Sequence, residues 1–425
     1  MKKKHTIAIF CDLRKAFDSC NHNILLSKLS RLGIRGAPLA WFANYLSNRS
    51  QFVCVNGVNS SLRTIQMGVP QGSILGPILF LLYINDLPLC TELLALLFAD
   101  DTTLLASGIN LPELIKFVNA ELFKIATYFR LNKLALHPQK TQFMLISNSP
   151  SAINYTVELF INHNNSPQTS DPNLVYPISR VSSTSTIPAV KFLGIFFDTE
   201  FNFRYHINHI CSKISRALFM LRRCKNFLST KSLKTLYYSL IHCHLIYGIQ
   251  IWSCSSPSLT NVLFKKQKAA IRIVCQVKHY AHTESLFKSL EILPLPSLID
   301  FFKIQFMQQY VRGHLPASFN NLWITNEAHR AQATPMVLRN DAEFFIPHSR
   351  LTKASLLPYY SFPRIWRDFD LLHPSISILR NKKEFNTDLK NYFIKKLSSV
   401  PNCKRLLCPS CSPIIAQNQP LLNSQ

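Results

Sequence analysis

The stretch Leu94–Ala106, LALLFADDTTLLA, sets two apolar runs on either side of the adjacent aspartates Asp100 and Asp101. Runs of this length read as two short buried strands, with the acidic pair at the turn between them. On its own, an Asp-Asp-Thr segment reads most simply as a solvated turn, because short acidic side chains suit turns. Two carboxylates at the mouth of an apolar hairpin also repel each other and lose hydration, and a bound cation relieves both effects. The flanking chain separates these readings.

Upstream, the run TIAIF reads as a buried strand that delivers Asp12 at its C-terminal end. Asn21 is the expected N-cap of a helix, HNILLSKLSRL, stopped by Gly33. Ala37–Leu46 reads as a second helix with Pro38 in its first turn. Asn56-Gly57 marks a hairpin between strands at Gln51–Val55 and Ser61–Ile65. In MGVPQGSILGPILFLLYINDLP (Met67–Pro88), a tight loop precedes a helix capped by Ser73 and ending near Asp86. Gly68 and Gly72 would let the backbone approach a ligand, and Gln71 can both donate and accept. Downstream, Leu111–Leu131 reads as a long amphipathic helix and Lys140–Ser147 as a strand. This order resembles β-α-β-β-α-β and predicts an α+β fold, an antiparallel sheet backed by helices. Such a sheet can bring Asp12 beside Asp100 and Asp101. Three carboxylates meeting there can hold two divalent cations about 4 Å apart. Oxygen donors facing a phosphate substrate favour Mg²⁺, with Mn²⁺ as a substitute, over Zn²⁺.

The chain has 425 residues, 47% hydrophobic and 16% charged, which predicts two or three folded domains rather than disorder. Lys and Arg number 47 against 22 Asp and Glu, a formal charge of +25. That excess points to a polyanion, nucleic acid first and an anionic membrane surface second. No apolar run approaches the roughly 18 residues of a membrane span. The start, MKKKHTIAIFCD, is too short in apolar residues for a signal peptide, so an intracellular protein is expected. Most of the 12 cysteines read as free thiols. Cys403, Cys408 and Cys411 have three-ligand zinc spacing but no fourth ligand follows, so the cluster reads as incidental. Residues 148–188, rich in Ser, Asn, Pro and Thr, read as an insertion. Val190–Asp198 reads as a strand pair bent at Gly194, and from His206 several basic helices follow. A mixed, mostly helical region, 291–400, and a tail, 401–425, expected to be mobile, complete the chain.

Five segments in order resemble the successive palm motifs of reverse transcriptases: FCDLRKAFDSCNHNILLSKL, GVPQGSILGPILFLLYINDLP, LLFADDTTLL, HPQKTQFMLIS and VKFLGIFFD. The Phe-Ala-Asp-Asp form and the Gln-Gly-Ser helix are most similar to those of non-LTR (LINE-type) retrotransposons. The resemblance runs from about Thr6 to His209. It implies a right-hand polymerase, with the palm at 1–205, a basic helical thumb at 206–290, and a C-terminal region of unassigned role. The implied activity is RNA-directed DNA synthesis, with nucleotidyl transfer from a dNTP to a primer 3′-hydroxyl. The implied partners are an RNA template, a DNA primer or target, and dNTPs; the implied location is nuclear. By the same resemblance, Asp12, Asp100 and Asp101 would hold the metals. Phe17 would exclude a ribose 2′-hydroxyl, and Gln71 and Gly72 would line the nucleotide and template pocket. Lys140 would protonate the leaving pyrophosphate. Phe192, Leu193 and Gly194 would grip the primer. Because the chain begins a few residues before Asp12, a fragment without the fingers and endonuclease regions is expected. The alternative is a catalytically silent remnant that only binds nucleic acid. The sequence carries no signal for oligomeric state.

Overall fold

The apolar run after Lys4 becomes β1 (His5–Cys11), the central strand of a five-stranded sheet. The computed structural model describes residues 4–137, 139–147, 149, 155–162, 175–183, 185–326, 344–346, 352–372 and 381–397. The chain divides into two compact units, Met1–Val190 with Asp198–Glu200, and Lys191–Phe197 with Phe201–Gln425. Cys403, Cys408, Cys411 and the tail lie outside the described residues. The described cysteines are all free.

In the first unit, β7 (Asp101–Gly108) pairs antiparallel with β1, from His5↔Gly108 to Cys11↔Thr102. On the other side β8 (Gln142–Ser147) is also antiparallel to β1. β6 (Leu94–Phe98) forms one edge beside β7, and β11 (Ser179–Val181) runs parallel to β8 at the other. Neighbours on both sides explain the apolar character of β1, whose Ile7, Ala8 and Ile9 are all buried.

Among the described residues, four α-helices accompany the sheet: α1 (His22–Arg31), α2 (Ala37–Leu46), α3 (Leu75–Ile84) and α4 (Leu111–Leu131). The Asn21 side chain accepts from the Ile24 N–H, as its N-cap position predicts. In α4, Leu114, Val118, Leu122, Ile125 and Phe129 recur every three or four residues and are buried. Each such side chain contributes about 1.5–3 kcal/mol, so this stripe rather than helix propensity holds α4 in place. The buried Glu121 carboxylate accepts from the Thr91 hydroxyl, the Glu92 N–H and Lys124, tying the approach to β6 onto α4. Burial raises its pKa, but the Lys124, Glu92 and Thr91 hydrogen bonds outweigh this and hold it below the usual carboxylate value. Between α1 and the C-terminal end of α3, Lys28 donates to the Tyr83 carbonyl at 2.6 Å and to Asp86 at 2.7 Å.

The expected 51–65 hairpin is broken into two short ladders. β2 (Ser50–Gln51) pairs with β5 (Arg63–Thr64), and β3 (Cys54–Val55) with β4 (Val58–Asn59). The Ser60 hydroxyl accepts from the Val53 N–H, so a side chain takes the bond a ladder carbonyl would have taken. The turn follows the Asn-Gly signal, with φ of 50° at Asn56 and 82° at Gly57. Within the expected insertion, β9 (Phe160–Asn162) and β10 (Val175–Pro177) form a small antiparallel pair.

The second unit is helical apart from most of the pair β12 (Val190–Phe192) and β13 (Ile195–Phe197). Its helices are α5 (Arg204–Cys224), α6 (Thr230–Tyr237), α7 (Cys243–Ile246), α8 (Ile249–Trp252) and α9 (Pro257–Val274). They continue with α10 (Glu284–Ser289), α11 (Leu295–Val311), α12 (Thr352–Ser355), α13 (Pro358–Leu372) and α14 (Lys382–Lys396). A π-helical turn, Tyr238–His242, stands between α6 and α7. On α5 the buried stripe is Ile207, Ile210, Ile214, Leu218 and Leu221, while Arg216, Arg222 and Arg223 are exposed. Facing helices meet a fully buried Gln267 on α9, which donates to the Tyr237 hydroxyl and the Leu293 carbonyl and accepts from the Leu295 N–H. Among the described residues no helix is long and apolar enough to cross a membrane.

Candidate active site

Asp12 follows β1 directly, and the segment before β8 pins its backbone. Its carbonyl accepts from the His137 N–H at 2.7 Å, and its N–H reaches the buried Thr141 hydroxyl at 3.4 Å. Its Oδ2 lies 3.5 Å from the Lys140 Nζ, with both side chains substantially exposed. An exposed pair of this kind adds little stability, so its interest is positional.

The register Cys11↔Thr102 brings Asp12 to the same end of the sheet as Asp101, on the adjacent strand. The pair Phe98↔Asp101 closes a two-residue turn made of Ala99 and Asp100. Ala99 has φ 52°, a left-handed conformation that costs a non-glycine residue about 1–2 kcal/mol. The acidic pair therefore sits on a strained turn, a kind of backbone that clusters at functional sites.

The Gly68–Gly72 loop is clamped onto the segment carrying Phe17. The Val69 N–H donates to the Phe17 carbonyl at 2.8 Å and the Gly68 N–H to the Cys20 carbonyl at 2.7 Å. An added Cβ on Gly68 would lie 2.9 Å from the Asp18 backbone. The close approach expected there toward a ligand is therefore made toward the protein's own chain. Gly72, at φ 82°, faces open space. The Gln71 side chain donates to the Asp18 carboxylate at 2.8 Å. Ser73 Oγ accepts from the Gly76 N–H, one residue ahead of the N-cap position of α3. Phe17 is partly buried, its ring 4.7 Å from that of Phe80. Thr141 and Asp18 were not legible as site residues, because both act through contacts between segments distant in sequence.

In the second unit, Leu193 and Gly194 both have positive φ, 45° and 83°, and form the turn between β12 and β13. The Tyr247 hydroxyl donates to the Leu193 carbonyl at 2.5 Å. The Tyr247 ring would meet a Cβ on Gly194 at 3.1 Å. Glycine at 194 thus suits both the positive φ and the tight approach of the Tyr247 ring.

The expected meeting of three carboxylates is not found: among the described residues, no three His, Cys, Asp or Glu side chains form a group that could hold a metal ion. Asp12 pairs with the Lys140 ammonium. The donors still fit a hard divalent cation in kind, being carboxylate oxygens at one end of the sheet.

A mixed α+β unit with three acidic residues at one end of its central strands is consistent with a polymerase-type domain. Residues 1–197 match the family model described as reverse transcriptase (RNA-dependent DNA polymerase). Relatives are RNA-directed DNA polymerases of mobile elements. The probable RNA-directed DNA polymerase from transposon BS of Drosophila melanogaster is 28% identical, over 73% of this chain and 33% of the relative. That from the mobile element jockey of the same species is 24% identical, over 72% and 32%. That from the transposon X-element, also of Drosophila melanogaster, is 22% identical, over 80% and 36%. The chain spans about a third of the length of these curated relatives.

Proposed function

We propose that this chain carries the palm and thumb of a non-LTR retrotransposon reverse transcriptase, extending a DNA primer on an RNA template. The observation that carries the reading is the strand register, which sets Asp12 beside the strained Asp100–Asp101 turn. Asp12, Asp100 and Asp101 would hold two magnesium ions. When bound, these supply Lewis-acid activation of the primer hydroxyl and neutralise charge on the triphosphate.

The chain's own residues do the rest. Phe17, braced by Phe80, presents a ring edge under the incoming sugar and excludes a 2′-hydroxyl. Gly72 leaves room for nucleotide and template, and Gln71, held by Asp18, is pre-oriented beside it. Lys140 binds the triphosphate and gives a proton to the leaving pyrophosphate. The Phe192–Gly194 turn, held by Tyr247, positions the primer end. The exposed arginines of α5 track the phosphate backbone.

Primer extension on an RNA template with dNTPs and Mg²⁺ tests this. Product is expected from the native chain and none from Asp100→Asn or Asp12→Asn. Product that survives either substitution overturns the assignment. Tight template–primer binding with no extension by the native chain selects the binding-only alternative.

A further inference from the structure

The residues assigned to polymerisation leave one exposed feature of the first unit unused. From Ser19 to Asn85 the chain has no Asp or Glu, while Lys28, Arg31, Arg35, Arg49 and Arg63 are spread through it. Within that acid-free stretch, Trp41, Tyr45 and Arg49 follow one another at four-residue spacing along α2 and just past its end. The Trp41 and Tyr45 rings stack with centroids 5.6 Å apart and planes within 11°. The Arg49 guanidinium lies 4.6 Å from the Tyr45 ring centroid, held by donation from its Nε to the Tyr45 carbonyl at 2.7 Å. Beside this ladder is a cleft of about 390 Å³ lined by Trp41, Asn44, Tyr45, Ser47 and Arg49.

Core packing accounts for one side of Tyr45, which rests against the core of the first unit, but not for Trp41. Leu46 is the only residue of α2 that is fully buried. Trp41 is 54% exposed, whereas Trp252, Trp323 and Trp366 are 0%, 3% and 1% exposed. An ordered, exposed aromatic stack beside an amide, a hydroxyl and a guanidinium, with no nearby acid in the sequence, matches the needs of an unpaired nucleobase and its phosphate. The ring face stacks on the base, Asn44 and Ser47 meet its polar edge, and Arg49 meets the phosphate. A stack already formed loses little freedom on binding.

We propose that the Trp41–Tyr45–Arg49 ladder is a stacking site for a single-stranded nucleic acid. The site takes bases that are unpaired, in RNA or DNA, and rejects duplex. The proposal rests on the reading that the chain handles nucleic acid, but not on catalysis.

Tryptophan emission of the full chain tests it, since Trp41 alone among the four tryptophans is open to solvent. Oligouridylate and oligothymidylate of about 12 nucleotides, a length that spans one site, are titrated beside a hairpin duplex. Binding is followed in parallel by anisotropy of labelled strands. Single strands are expected to quench Trp41 and shield it from acrylamide in step with binding, and duplex is not. Quenching by one oligomer alone assigns the site to RNA or to DNA. Trp41→Ala and Tyr45→Ala should each weaken single-strand binding about tenfold or more, the size of one lost stack, and leave duplex binding unchanged. If these variants fold poorly, Trp41→Phe and the native-chain quenching carry the test. Anisotropy that reports single-strand binding while Trp41 emission and accessibility stay unchanged overturns the proposal. That result leaves the polymerase reading intact, because primer extension is measured separately.

Discussion

Gly76 stands in the first turn of α3, where an added Cβ would run into the Pro70 carbonyl oxygen. Backbone cannot yield as a side-chain tip does. Gly76→Ala should therefore lower stability by about 1–3 kcal/mol, seen as a lower urea midpoint at unchanged slope. Phe17 makes a different demand. Its ring rests on Phe80, so it is both a packing residue and the proposed gate. Phe17→Ala should raise the use of ribonucleotides relative to deoxynucleotides in single-nucleotide extension, beyond any loss in overall rate. An unchanged ratio would leave Phe17 a packing residue only.

Element by element, the apolar periods in the chain were readable. The α4 stripe and the β1 run appear where their spacing places them, because burial on one or two faces is written directly into residue order. The 51–65 segment was not readable in detail, since the choice between a ladder bond and the Ser60 hydroxyl is a local competition with no pattern. On α5, His206 accepts from the Phe196 N–H through Nδ1 and leaves Nε2 buried without a partner. Burial first, then the positive His209 and Lys213, push its pKa down to about 4. Burial and Lys390 push His242 to about 4 as well. The unfolded chain binds these protons near the ordinary imidazole value of 6.5, the native unit only near 4. The stabilisation is therefore complete above 6.5 and is lost as pH falls toward 4, at roughly 1.4 kcal/mol per pH unit per histidine. His206→Gln should flatten the acid limb of stability against pH in urea melts, whatever it does to stability at neutral pH. An acid limb of unchanged slope would show that His206 is not buried neutral.

For the whole molecule, a formal charge of +25 sets the interaction with any nucleic acid. Affinity for a template–primer should fall steeply and log-linearly with salt, because each neutralised phosphate releases counterions. Neutralising the exposed Arg216, Arg222 and Arg223 together should reduce that slope, and a slope that stays the same would move the phosphate contacts elsewhere. The two units have separate cores, one on the sheet and one among the helices around Trp252 and Gln267. Gly76→Ala and His206→Gln thus act on different units.

Residue order alone carried the strands around Asp12 and Asp100–Asp101, the Gly-Val-Pro-Gln-Gly turn and the basic helices, because hydrophobic period, turn chemistry and charge are local properties. It also carried the family, through motifs whose order is itself a sequence property. Through-space contact decided the rest. Gly68 packs against Asp18 rather than a ligand, Gln71 is held by that same carboxylate, and Asp12 is engaged by Lys140 instead of converging with the acidic pair. Ala99 bears strain at the position where a two-residue turn favours glycine, and Trp41 stacks in the open on Tyr45. Each of these depends on which groups meet once the chain closes on itself, and on the repulsion, hydration and steric cost of that meeting, which no spacing along the chain records.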